Sequence, residues 1–112
     1  MRTLWCWRCK RDVPMLDEAE FEVIRQAHTR GVEAVKDYRQ RNGATLQETP
    51  IRELHRPVRE AYERLTGASG FDADHILKHR LSLYGPPCSV CGKPLRTPQA
   101  KLCAACGAPA GQ

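Results

Sequence analysis

No apolar run in this 112-residue chain approaches the roughly 20 residues that span a bilayer, so no membrane role is expected. Met1 to Lys10 carries charges but lacks the apolar stretch of about 7–15 residues that a secretory leader needs. A cytoplasmic protein is therefore expected. Catalytic signatures are missing as well: there is no Ser-His-Asp order, phosphate-binding glycine loop or paired-carboxylate pocket. A thioredoxin-like redox pair needs a βαβ unit, and the pattern of this chain contains none. Low-complexity stretches are absent too, and an enzyme is not expected.

What the chain does have is cysteine in pairs. Cys88-Ser89-Val90-Cys91-Gly92 and Cys103-Ala104-Ala105-Cys106-Gly107 are two copies of one device, with eleven residues between Cys91 and Cys103. A two-residue gap lets both sulfurs of a pair meet one ion about 2.3 Å away. Glycine after the second cysteine supplies the positive φ that such a turn favours. Cys88, Cys91, Cys103 and Cys106 together read as a four-sulfur Zn²⁺ site. Four sulfurs leave no position for water, so a structural ion is expected rather than a catalytic one. A disulfide framework is the disfavoured alternative, because reduced thiols prevail in the cytosol. The spacing between Gly92 and Leu102 has room for two short strands and a turn, restricted to edge-type pairing by Pro94 and Pro98.

A third pair, Cys6-Trp7-Arg8-Cys9, stands near the N-terminus, with Lys10 where the other pairs have glycine. A second zinc there needs two more ligands. His75 and His79 are four residues apart on an expected helix and so share one face. Cys6, Cys9, His75 and His79 form the candidate second site. The bland alternative leaves His75 solvated and His79 placed favourably near a helix end. His28 and His55 are further candidates, His28 being more simply a packing residue.

The formal charge is +5, and its placement matters more than its size. Residues 1–15 carry +3, residues 16–87 carry −1 and residues 88–112 carry +3, so the basic excess lies in the two cysteine-bearing ends. Four thiolates around one Zn²⁺ form a unit of about −2, which lowers the net charge to about +3. That is mild for a nucleic-acid binder, which concentrates its basic residues in a stripe.

The middle of the chain reads as helix. Asp17 and Glu20 have N-cap and third-position spacing, and Asn42-Gly43 supplies a stop. Phe21, Ile24, His28, Gly31, Val35 and Tyr38 recur at alternating gaps of three and four, one continuous stripe. Gly31 within it costs about 1 kcal/mol in helix propensity, which suggests close approach of another backbone. Thr49-Pro50 opens a second helix with Ile51, Leu54, Val58, Ala61, Tyr62 and Leu65 on its apolar face. Pro57 either kinks that helix or opens a new one after a turn near His55-Arg56. Asp72 is positioned to cap a third helix running to about Arg80.

The stretch from Pro87 to Pro109 resembles the zinc ribbon family, through Cys88, Cys91, Gly92, Cys103, Cys106 and Gly107. The resemblance implies a structural zinc. The whole chain also resembles small bacterial proteins with an N-terminal Cys-Trp-Arg-Cys pair and a C-terminal stretch like Leu83-Tyr84-Gly85-Pro86-Pro87-Cys88 followed by Cys91-Gly92-Lys93-Pro94-Leu95-Arg96-Thr97-Pro98. That resemblance carries no established activity.

The expected architecture is mainly α: two to three helices, a C-terminal zinc-ribbon β-hairpin and an N-terminal Cys-x₂-Cys knuckle. One zinc-stabilised domain over 1–112 is expected, with a knuckle at 1–14, a helical body at 15–82, a ribbon at 83–109 and a loose tail at 110–112. The expected function is non-catalytic binding of a protein partner, of adaptor or toxin-neutralising type, with Trp5 and Trp7 beside Cys6 as anchors. Those rings have a simpler use as cover for the metal knuckle. The alternative is nucleic-acid binding through Arg2, Arg8, Lys10, Arg11, Lys93, Arg96 and Lys101. A zinc enzyme using an open second site ranks last.

Overall fold

The N-terminal segment forms an antiparallel hairpin, β1 (Arg2–Cys6) and β2 (Arg11–Met15), each strand passing from exposed at its start to buried at its end. The computed structural model describes residues 2–110. Register pairs Arg2 with Met15 and Cys6 with Arg11, which leaves residues 7–10 as the closing turn, with the Lys10 N–H donating to the Cys6 carbonyl. Val13 and Met15 lie on the buried face of β2, as the two-residue period of a strand requires. The hairpin is more regular than the extended knuckle expected over these residues.

The helix expected from Asp17 onward is α1 (Glu18–Asn42), and the chain turns at Gly43 with φ +62°. Phe21, Ile24, Ala27 and Gly31 are its buried residues. The burial follows the stripe through its first half, while Val35 and Tyr38 are half-buried. Of the two outcomes open at Pro57, the structure takes the second: α2 (Ile51–Leu54) ends, His55 forms the joint, and α3 (Arg56–Thr66) starts with proline in its first turn. Proline fits there because its missing N–H has no intrahelical partner to lose. Gly67 closes α3 in the left-handed conformation, its N–H donating to Glu63.

The third helix is shorter than expected. α4 covers only Ala73–Ile76, and Asp72 makes no side-chain capping bond. The chain beyond it is claimed by other partners. The Leu16 N–H donates to the His79 carbonyl at 2.8 Å, and the Leu81 N–H donates to the Leu16 carbonyl at 3.0 Å. Arg80 is thereby extended, in a parallel bridge to Leu16 beside β2, and a 3-10 turn follows at Leu81–Leu83.

The C-terminal strands expected between Gly92 and Leu102 are not formed among the described residues. The backbone pairs instead around each cysteine turn, through isolated bridges Pro87–Pro94 and Leu102–Pro109. Pro94 and Pro98 lack the N–H groups a continuous ladder needs, and the intervening chain turns, with the Ala100 N–H donating to Thr97. The result is two cysteine knuckles in sequence, over a small core of Cys88, Leu95 and Cys103. Ala110, assigned to the loose tail, packs against this core and donates its N–H to Lys101. The rest of that tail lies outside the described residues.

The chain divides into two compact units, one of residues 2–18 with 78–110 and one of residues 19–77. The first holds all six cysteines. The second is helical, with Ile24, Val58, Ala61, Tyr62 and Ile76 buried and Phe71 edge-on to Tyr62 at 5.6 Å. No helix among the described residues is long and apolar enough to cross a membrane.

Candidate metal centres

Three turns with one backbone geometry carry the six cysteines. In each, the N–H four residues after the first cysteine donates to that cysteine's carbonyl: Lys10 to Cys6 at 2.7 Å, Gly92 to Cys88 at 2.9 Å and Gly107 to Cys103 at 2.8 Å. The residue closing each turn has positive φ, +58° at Lys10, +77° at Gly92 and +79° at Gly107. Lys10 thus does what glycine does in the other two, in a region that Cβ sterics disfavour. Backbone N–H groups point at the sulfurs, from Cys9 to Cys6 Sγ at 3.5 Å and from Val90 to Cys88 Sγ at 3.4 Å.

Cys88, Cys91, Cys103 and Cys106 converge as the spacing predicts, their sulfurs all within 4.8 Å of one another. Cys88 and Cys106 are 3.7 Å apart and Cys91 and Cys103 are 3.6 Å apart. A tetrahedron with sulfur about 2.3 Å from its centre has edges of about 3.8 Å, which these two separations match. All six cysteines are free thiols, and these separations far exceed the ~2.05 Å of a disulfide. The cluster could form a zinc-ribbon-like site. Cys88 and Cys103 are buried, whereas Cys91 and Cys106 face solvent. The N–H groups of Cys91 and Val90 hold the Cys88 thiol down at about 6, in the range where it ionises readily.

The second cluster contains Cys6, Cys9 and His79. His79 Nε2 lies 3.3 Å from Cys9 Sγ, and Cys6 and His79 are both fully buried. His75 is not brought into it. It is exposed on α4, which ends three residues before His79, so the shared helical face that joined them in sequence does not exist. His28 and His55 stack on each other at 5.2 Å, elsewhere in the helical unit.

Tyr84 is the residue that sequence reasoning missed. It is buried, and its hydroxyl donates to Cys6 Sγ at 3.3 Å. Burial pushes the Cys6 thiol up, but the Tyr84 hydroxyl and the N–H groups of Cys9 and Arg8 outweigh it and hold it below its usual 9.0. Cys9 is pushed up to about 11 by burial and by the Cys6 charge beside it. The only signal for Tyr84 was its place just before Gly85-Pro86-Pro87-Cys88, which said nothing about Cys6.

The tryptophans lie half-buried on the same unit under cations. Lys93 Nζ sits 4.5 Å from the Trp5 ring centroid. Arg8 and Arg96 lie 4.1 and 5.4 Å from the Trp7 centroid. Arg2, Arg8, Lys10, Arg11, Lys93, Arg96 and Lys101 are all exposed. No protein-family model, curated protein or solved structure matches the chain.

Proposed function

We propose that this protein is a zinc-binding module that acts by recognising another protein rather than by catalysis. The observation that carries the reading is the four-sulfur cluster with edges of 3.6 and 3.7 Å, which fits one ion and leaves it no free position. Such an ion stabilises the fold around it. The recognition surface proposed is the basic, aromatic face built from Trp5, Trp7, Arg8, Lys93 and Arg96. Tryptophan and arginine are the residue types that most often anchor protein interfaces. A ring already covered by a guanidinium presents a pre-ordered, partly desolvated cation. An acidic protein surface is the complementary partner.

The test compares wild-type protein with the double substitution Trp7→Ala and Arg96→Ala as bait in its native host. A stoichiometric protein retained by the wild type and lost from the variant supports the proposal. Metal analysis on the same samples should give zinc in both. A zinc-free wild-type chain, or capture unaffected by the double substitution, overturns it.

A second reading, nucleic-acid binding, is favoured by one observation: eight exposed basic residues, the seven above with Lys78, fall in a single unit, and three of them lie over tryptophan rings. Phosphate contacts made by such residues weaken steeply as salt rises. Absence of oligonucleotide binding at low salt removes this reading.

A further inference from the structure

The second cluster supplies three donors where a tetrahedral ion takes four. Among the described residues, no other Cys, His, Asp or Glu joins Cys6, Cys9 and His79. Cys6 and His79 are fully buried and Cys9 is half-buried, so solvent reaches the cluster on the Cys9 side. The donor set has the character of a metal site with one exchangeable position. Two thiolates and a neutral imidazole around a divalent ion sum to zero charge. Arg8 lies inside the turn and Arg11 is the cross-strand partner of Cys6, so the surroundings are positive.

We propose that Cys6, Cys9 and His79 hold a divalent metal ion whose fourth position takes a small anionic donor of the thiolate class from solution. Thiolate suits the position because the existing ligands are soft, and a soft anion matches both their chemistry and the neighbouring arginines. An incoming thiol gives its proton to solvent as its sulfur joins the shell, so no oxidant or reductant is needed. Tyr84 acts as a positioning residue. Its hydroxyl donates to Cys6 and fixes that sulfur, as partners outside the ligand shell do in metal sites. The inference rests on the metal reading of this cluster and is independent of the closed four-sulfur site.

The test uses reduced full-length protein loaded with Co²⁺, whose visible bands report its ligand set, titrated with 2-mercaptoethanol. Two Co²⁺ per chain are expected, with a saturable shift in the bands of one of them. A variant carrying Cys6→Ser and Cys9→Ser should bind one Co²⁺ and show no shift, since its remaining site is closed. Tyr84→Phe should keep two Co²⁺ and the thiol response, with altered affinity for the added thiol. One ion in the wild type overturns both the second metal site and this inference. Two ions with no thiol response overturn the inference alone. So does a response that appears only in Tyr84→Phe, because Tyr84 itself would then be the fourth ligand.

Discussion

Cys9 Sγ and His79 Nε2 lie 3.3 Å apart although seventy residues separate them in sequence. The contact follows from a backbone event rather than a helical face. Leu16 bonds on either side of Arg80, to His79 and Leu81, and this pairing draws the segment out of helix and places the imidazole beside the N-terminal knuckle. The Glu18 carboxylate fastens the same segment through a two-pronged bond to Arg80, at 2.5 and 3.0 Å.

From this contact follows a clean distinction between two histidines. His79→Ala should lower bound metal from two ions per chain to one, because an all-thiol pair alone is a poor site. His75→Ala should leave both ions in place, since its ring is exposed outside the cluster. Metal per chain, measured by atomic emission after gel filtration, checks both. Equal loss from the two variants would mean that His75 supplies a ligand after all.

The closing positions of the three turns predict opposite effects of glycine and alanine. Lys10 holds φ +58°, and a residue with a Cβ in that region costs about 1–2 kcal/mol. Lys10→Gly relieves that strain, while the freer unfolded chain takes back about 0.4–1 kcal/mol. A gain of at most about 1.6 kcal/mol is expected. Gly92→Ala and Gly107→Ala make the reverse change, and each should lose up to about 1.6 kcal/mol once the stiffer unfolded chain offsets part of the strain. No atom lies within 4 Å of a Cβ added at either glycine, so the penalty is conformational alone. Denaturant unfolding of the metal-loaded protein measures all three, and a loss on Lys10→Gly would contradict the shared geometry.

How much of this was legible beforehand differs from residue to residue. Cysteine spacing announced the four-sulfur cluster because a two-residue gap is a local constraint, satisfied within a single turn. The start of α1 and the break at Pro57 were legible for the same reason, since capping spacing and a missing N–H act over a few residues. The spacing of His79 from His75 points to a shared helical face, but His79 reaches Cys9 through a different geometry. The end of α4 depends on Leu16, some sixty residues away, and no local pattern encodes that pairing. Tyr84 reached Cys6 unannounced for the same reason. The ribbon strands failed to form because Pro94 and Pro98 do more than confine a strand to an edge. They remove donors from both sides of a stretch too short to spare them.

Gly31 illustrates a signal with the right meaning and the wrong partner. The neighbour it admits is a side chain, the His55 ring, whose Nδ1 would lie 2.2 Å from an added Cβ. Gly31→Ala gains about 1 kcal/mol in helix propensity but overpacks this contact by about 1–3 kcal/mol. A net loss of up to about 2 kcal/mol is expected. Combining it with His55→Ala removes the clash, so the double variant should be more stable than the sum of the two single losses. Strict additivity would show that the ring is not what Gly31 accommodates.

The same His55 gives the helical unit a pH dependence. Burial lowers its pKa below 6.5, and the neighbouring charges of His28 and Arg59 lower it further against the opposing pull of Asp74. The folded state therefore prefers the neutral ring, and the unfolded chain binds more protons as the solution is acidified. Its contribution is complete above the unfolded pKa of about 6.5 and is lost as pH falls through the lower folded value. Unfolding free energy of wild type should decline over that window, and His55→Gln should flatten the decline. An unchanged slope in the variant would assign the dependence elsewhere.

Metal removal should act on the two units unequally. Trp5 and Trp7 are the only tryptophans and both belong to the cysteine-bearing unit, so their fluorescence reports its state. The far-ultraviolet helical signal comes mainly from α1 and α3, whose buried residues include Ile24, Val58 and Tyr62 and contain no metal ligand. Structural metal contributes folding free energy directly, so a strong chelator under reducing conditions should collapse the tryptophan signal. Most of the helical signal should persist at the same chelator concentration, then melt separately on heating. Restoring Zn²⁺ should recover the fluorescence. Simultaneous loss of both signals would show that the ions hold the helices as well, as expected of a single zinc-stabilised domain.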